Sequence, residues 1–237
     1  MNLAETLVSV PHANELEPLL GAFVAAGHRP RILTVGRLEC HLFEELRVLF
    51  AVGGHGKTQL AVRTQHLIER SGVFQVVICA GAAGSLGGDL ALGDVVVGTS
   101  TIEHDYKLRF VSRPLPSYQA DPCLLAEFRL AAGQIGQKFH VLFGAIASGD
   151  EDVIDQARAL ELRAATGALC VAWEGAGAAR AARFSGRQFL EVRGITDGAD
   201  HAAAADFQAN LTRSMPNLGE VLLRWALVRH HGSSTCQ

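Results

Sequence analysis

The chain lacks most of the features that announce a membrane, a nucleic acid or an oxidising compartment. No apolar run in its 237 residues reaches the roughly 18 to 20 residues that span a bilayer, so no membrane partner is expected. Neither sign of charge dominates. The 21 Lys and Arg residues stand against 24 Asp and Glu, a formal net charge of −3, and no long basic run is present, which argues against nucleic acid as a partner. The start, Met1-Asn2-Leu3-Ala4-Glu5, has neither the basic flank nor the apolar core of a signal peptide, so a cytoplasmic location is expected. Cys40, Cys79, Cys123, Cys170 and Cys236 are odd in number and contain no C-x-x-C pair, so neither a disulfide framework nor a zinc site is indicated. Cys79 and Cys170 read as packed core thiols. Internal repeats, low-complexity tracts and linkers are also missing.

What remains is a chain rich enough in apolar residues, at 49%, to bury a large core as one domain over 1–237. Short apolar, often β-branched runs at Leu7–Val10, Arg31–Val35, Leu46–Val52, Gln75–Cys79, Asp94–Gly98, His140–Ala147, Leu169–Trp173 and Phe189–Arg193 predict strands. Helical spacing of apolar residues appears over Glu15–Ala26, Lys57–Arg70, Pro122–Ile135, Glu151–Ala165 and Gly175–Arg183, and again from Leu218 to Val228. The alternation predicts an α/β fold of three layers. Arg109–Ala120, with Pro114 and Pro116, is the longest loop and long enough for a functional or interface role.

Four segments carry candidate chemistry. Gly53-Gly54-His55-Gly56-Lys57-Thr58 follows a strand and opens a helix, as a P-loop does, but Ala51 stands where a P-loop has its first glycine. Gly81-Ala82-Ala83-Gly84-Ser85-Leu86-Gly87-Gly88 follows an apolar strand and either lets the backbone approach a ligand or makes a tight turn. Ser148-Gly149-Asp150-Glu151-Asp152 is a strand-to-helix junction whose acids suit a helix N-terminus. Arg193-Gly194-Ile195-Thr196-Asp197 places a carboxyl group at the end of an apolar strand, where it serves either as a catalytic group or as a cap on the next helix.

These segments, with Gly93-Asp94-Val95-Val96-Val97, His104-Asp105 and Trp173-Glu174-Gly175-Ala176, stand in an order that resembles the nucleoside phosphorylase and nucleosidase superfamily over nearly the whole chain. The resemblance is to its methylthioadenosine/S-adenosylhomocysteine nucleosidase branch. It implies a three-layer α/β/α sandwich around a central mixed, partly closed β-sheet, a homodimer, a small-molecule nucleoside substrate, and no cofactor or metal. It also implies roles. Asp197 is the acid that protonates the departing purine, a task that requires a carboxyl kept protonated by burial. Glu174 accepts from the ribose hydroxyls, which requires the ionised form. The water-activating base falls on Glu15 by ungapped comparison, with Glu17 the alternative and a plain acidic helical turn the third reading. Arg193 lies near the water and the carboxylates, or makes a structural ion pair. Thr196, Val153, Trp173 and Phe207 line the nucleoside site.

The departures from the family pattern bear on substrate choice. Ala82 replaces a serine and removes a hydroxyl from the water site. Asp152 stands where the family stacks a phenylalanine on adenine. His55 and His12 occupy positions that are apolar in the pocket for the 5′ substituent, and Lys107 and Arg109 lie in the segment sent across the dimer interface. If these two basic residues point inward, the 5′ end of the substrate is polar or anionic; otherwise they are solvated surface charges. Phosphorolysis would need a cationic phosphate site, which Pro11-His12-Ala13-Asn14-Glu15 lacks, so hydrolysis is favoured over a phosphorylase or an inactive nucleoside-binding protein.

Overall fold

The computed structural model describes residues 4–72, 74–88, 90–107 and 109–231, the last without its side chain. In chain order the elements are β1 (Thr6–Val10), α1 (Ala13–Ala25), β2 (Arg31–Val35), β3 (Leu38–Phe43), β4 (Val48–Val52), α2 (Gly56–Ser71), β5 (Val76–Ser85), β6 (Val95–Glu103), β7 (Ser117–Gln119), α3 (Pro122–Ala132), β8 (Val141–Ser148), α4 (Gln156–Thr166), β9 (Cys170–Ala172), α5 (Gly175–Phe184), β10 (Gln188–Asp197) and α6 (Ala203–His231).

One mixed sheet organises them. The path β10-β6-β8-β9-β5 returns to β10 through a β10–β5 pairing, so five strands close on themselves, while β1, β4, β3 and β2 continue outward from β5. β1, β4, β5 and β10 run parallel to one another, and β6 and β9 meet this set antiparallel. The partly closed mixed sheet expected from the resemblance is therefore present.

Period-two alternation explains the layers. On β5, Val76, Ile78 and Ala80 face a core shared with α1, α3 and α6, whereas Val77 and Cys79 face the core beneath α2 and α5. Two helices approach unusually closely because glycine permits it. A Cβ on Gly177 of α5 would overlap the backbone of Lys57 in α2, which is why α5 is built from Gly and Ala. Helix α4 covers the closed end, with Ala159 and Leu162 packed on Leu86 and Ala147.

Several boundaries differ from the sequence reading, each for a local reason. The Gly81–Gly88 segment is not a turn, because β5 runs on to Ser85 with partners on both edges. β3 was absent from the pattern because Leu38-Glu39-Cys40-His41-Leu42-Phe43 mixes polar and apolar residues on an outer hairpin. β7 lies inside the long 109–120 loop and pairs with the extension of β6. Helix α4 begins only at Gln156, where the Asp155 side chain caps Ala157 N–H at 2.7 Å, so 149–155 is an irregular segment. Cys40, Cys79 and Cys170 are buried thiols, while Cys236 lies outside the described residues.

Candidate active site

The strand ends of β1, β4, β5 and β10 meet the end of β9 and the 151–154 segment around a cavity of about 360 Å³. Strand ends of this kind leave backbone groups and flanking side chains free to converge on a ligand. Glu15 enters from the first turn of α1. It is buried, and its Oε2 accepts from the Ala82 N–H at 3.0 Å. Gly81 makes this possible, since a Cβ there would overlap the Glu15 carboxylate and crowd Pro11 and Arg193. Burial, and then the charge of Glu174, push the Glu15 carboxyl up to about 8, against the opposing pull of Arg193 and the Ala82 N–H. Glu17, two residues on, is exposed and does not line the cavity.

Behind Glu15 lies a buried network centred on Arg193. Its Nε donates to Glu191 Oε1 at 2.8 Å, Nη2 to Glu174 Oε2 at 3.2 Å, and Nη1 to the Ala82 carbonyl at 3.2 Å. Glu191 is fixed in turn by the Thr101 hydroxyl, which donates to its Oε2 at 2.5 Å. The guanidinium does not line the cavity; it holds the wall that does. Glu174 follows β9 and precedes α5. Burial works against its charge, but the His55 side chain, the Arg193 guanidinium and the Gly56 N–H together hold its carboxyl below the ordinary range. It is thus an ionised acceptor presented to the cavity.

Asp197 closes β10 on the other side of the cavity. Its Oδ2 accepts from the Thr196 hydroxyl at 2.8 Å and its Oδ1 from the Ala199 N–H at 3.0 Å. Ala199 takes up a left-handed φ of 51° to deliver that N–H, a strained choice for a residue with a Cβ. Burial raises the Asp197 carboxyl despite these two donors, and Asp206 and Asp200 add to the effect. Asp197 does not cap α6, whose start at Ala203 is served by Asp200 through Ala202 N–H at 2.8 Å. The Asn210 side chain of α6 donates to the Thr196 carbonyl at 3.0 Å and fixes the helix that brings Phe207 to the cavity.

The glycine-rich turn before α2 shows why the P-loop resemblance carries no phosphate chemistry. His55, the residue before the helix, makes no capping bond. The first helical N–H groups instead go to two distant carboxylates: Gly56 N–H to Glu174 Oε1 at 3.2 Å and Lys57 N–H to Asp150 Oδ1 at 2.8 Å. The position that would attract a phosphate is already filled. The Lys57 ammonium reaches Glu103 Oε1 at 3.1 Å and also pairs with Asp105. Asp105 Oδ2 accepts from Asp150 N–H at 2.9 Å and closes the network. Asp150 therefore serves α2 and not the helix that follows it in sequence.

On the cavity side of this turn the His55 ring lies 4.1 Å from Trp173 and 4.8 Å from His12. His12 Nε2 and His55 Nδ1 are 3.0 Å apart and share one hydrogen bond. The Glu174 contact raises the His55 pKa, whereas burial, and then the His55 charge, lower that of His12. The pair therefore disfavours two positive charges, and the Glu174 contact favours a single one on His55.

Glu15, Asp197, Glu174, Trp173, Ala82, Asp152, Val153, Thr196, Phe207, His55 and His12 all line this one cavity. Arg193 stands directly behind it. Lys107 and Arg109 do not join them: both are exposed and neither lines the cavity of its own chain. Glu191 was missed, although Glu191 and Arg193 alternate on one face of an otherwise apolar strand, a pattern that places both charges inside together.

Comparison with known proteins agrees with this geometry. The model of the phosphorylase superfamily matches residues 5–226. A 5′-methylthioadenosine/S-adenosylhomocysteine nucleosidase of Thermotoga maritima is 28% identical over 204 residues, 84% of this chain and 87% of that protein. An aminodeoxyfutalosine nucleosidase of Helicobacter pylori is 30% identical over 179 residues, 73% and 77% of the two chains. Among solved structures, a 5′-methylthioadenosine/S-adenosylhomocysteine nucleosidase of Helicobacter pylori, in complex with a pyrrolidinol compound, superimposes with a TM-score of 0.84 at 26% identity, covering 95% of this chain and 98% of the other. With a family match that spans the sheet and the segments that carry Glu15, Glu174 and Asp197, the chain belongs to the phosphorylase superfamily.

Proposed function

We propose that the protein hydrolyses the N-glycosidic bond of a purine ribonucleoside, a 5′-modified adenosine such as S-adenosylhomocysteine or methylthioadenosine, as a single catalytic domain over 1–237. The observation that carries this reading is the composition of the cavity wall. Three carboxyl groups, Glu15, Glu174 and Asp197, face one space with different proton affinities, and no Lys or Arg lines it among the described residues. A phosphate co-substrate would meet carboxylates and no fixed cation, whereas water needs only a base.

Cleavage of a purine nucleoside builds positive charge on the ribose and negative charge on the departing base. Asp197, whose carboxyl burial shifts toward its protonated form, gives its proton to the purine. Glu174, kept ionised by Arg193 and His55, accepts from the ribose hydroxyls and steadies the cationic sugar. Glu15, a strong base once ionised and held in place by the Ala82 N–H, takes a proton from the attacking water. Arg193 is a positioning residue that acts through Glu174 and Glu191. The products are free base and a ribose derivative, and no redox partner is needed.

His12 and His55 give the 5′ end of the site a polar wall, so a nucleoside with a charged or polar tail is the preferred substrate over one with a methylthio group. A burial-driven thioether gains little where polar rings must lose water without a partner. Lys107 and Arg109 reach such a tail only from a second copy, in a homodimer, and the working compartment is the cytoplasm. The test is a nucleoside panel assayed with and without phosphate. Release of free base without phosphate supports the proposal; dependence on phosphate makes the protein a phosphorylase; tight binding without turnover makes it a binding protein.

A further inference from the structure

A second cavity, of about 330 Å³, lies away from the catalytic one between the β2–β3 hairpin and the outer face of α2, and it is lined by Arg37, Leu38, Val62, Arg63, His66 and Arg70. Arg63, His66 and Arg70 recur at spacings of three and four residues, so they form one stripe along α2. The hairpin tip supplies Arg37. Among the described residues no carboxylate lines this space.

The lack of acids is notable in a chain of net charge −3. Arg31, Arg47, Arg158, Arg180, Arg193 and Arg229 each pair with a carboxylate. Arg37, Arg63 and Arg70, like several surface arginines elsewhere, make no ion pair among the described residues, but these three converge on one hollow, and the bond from Arg63 to the Val52 carbonyl is long at 3.4 Å. Three guanidinium groups around one hollow repel each other, and each offers five donors in a fork that matches phosphate oxygens.

The hollow is also built. Arg37 N–H donates to His66 Nε2 at 3.1 Å, which ties the hairpin tip to α2. Because Nε2 accepts, the neutral ring carries its proton on Nδ1. Gly36, at a φ of +61°, permits this approach, since any Cβ there would overlap the His66 ring and press on Arg70. Leu38 and Val62 add an apolar wall, and the volume falls in the range of small-ligand sites.

We propose that this cavity binds a diphosphate group, as inorganic pyrophosphate or as the diphosphate of a small organic molecule. The guanidinium groups of Arg37, Arg63 and Arg70 take the oxygens, and Leu38 and Val62 meet any organic part. The proposal is independent of the reaction in the catalytic cavity, so it is tested by binding and not by turnover.

The experiment is calorimetric titration of the full chain with sodium pyrophosphate at low ionic strength. One site is expected, weakened about 10- to 100-fold by Arg63→Ala or by Arg70→Ala, the range for a lost charge-assisted contact. Arg70→Lys falls between, because it keeps the charge and loses the fork. Circular dichroism checks that each variant is folded. His55→Leu, in the catalytic cavity, leaves the affinity unchanged. A parallel titration with ADP separates the sources: binding tighter than pyrophosphate assigns an organic diphosphate, and equal binding assigns the inorganic ion. No heat at 10 mM pyrophosphate (about the weakest binding worth calling a site), unchanged affinity in both Ala variants, or loss of binding in His55→Leu overturns the proposal.

Discussion

Glu15→Gln should make the protein more stable while removing its activity, and the stability gain should depend on pH in a defined way. The folded carboxyl sits at about 8 against an ordinary value of 4.5. Below 4.5 both folded and unfolded chains hold the proton, so the residue contributes no pH dependence. Between 4.5 and 8 the unfolded chain releases the proton and the folded chain keeps it, which favours unfolding by about 1.4 kcal/mol for each pH unit. Above 8 the loss is complete, at about 5 kcal/mol as an upper bound. Glutamine never ionises, and its side-chain carbonyl can still accept from the Ala82 N–H.

Thermal melts of both proteins from pH 5 to pH 9 therefore give a difference that is small at the acidic end. The difference grows to roughly 10 °C or more by pH 8.5, using about 2 to 4 °C per kcal/mol for a chain of this size. Steady-state assays on the same samples should show a loss of about two to four decades in kcat for Glu15→Gln, the scale of a removed general base, with nucleoside binding retained. A melting difference that is constant across the pH range, or a wild type that is the more stable protein at pH 8.5, would refute the buried, proton-holding Glu15. Stability unchanged and activity lost would keep its chemical role and reject the electrostatic account of its burial.

Other expectations are smaller in scope. Asp197→Asn should fold normally and lose about two to four decades in kcat, whereas wild-type turnover by the folded variant removes Asp197 from the reaction. The pH profile of kcat/KM should be bell-shaped, because Glu15 and Asp197 share one proton, which rests on Glu15 and must sit on Asp197 in the reactive form; the alkaline limb lies near pH 8, where Glu15 releases it, and constant activity to pH 10 excludes this pairing. Glu191→Gln weakens the buried pair with Arg193 and should cost about 3 kcal/mol in a denaturation experiment, while a neutral outcome would mean the Thr101–Glu191–Arg193 chain is dispensable. His55→Leu should shift kcat/KM from S-adenosylhomocysteine toward methylthioadenosine by about tenfold, and an unchanged ratio would place the 5′ substituent elsewhere.

What could be read in the sequence was whatever is encoded in short range. The strands β1, β4, β5 and β10 are largely apolar because both faces are covered, and such runs are visible without a structure, even where β10 carries the buried Glu191 and Arg193. The end of β10 carries Asp197, which position alone left open between a catalytic group and a helix cap, and it took the family resemblance to single out Glu15 and Glu174. Lys107 and Arg109 could not be placed, since their surroundings depend on whether a second copy covers them.

Capping was the clearest failure of local reading, and it is the most instructive about the site. Sequence logic assigns Asp150 to the helix that follows it and names no partner for the first N–H groups of α2. In the fold, Asp150 and Glu174 come from about 90 and 120 residues away to take the first N–H groups of α2. One consequence is chemical: Glu174 is held ionised partly by Gly56 N–H, so the orientation of the ribose acceptor depends on the tip of α2. The other is mechanical. His55 sits on the same turn and stacks on Trp173, the residue before Glu174. Under the proposed function, a substrate tail that displaces His55 would pull on the turn that holds the ribose acceptor. In this arrangement, selection at the 5′ end and stabilisation of the sugar cation share one structural element.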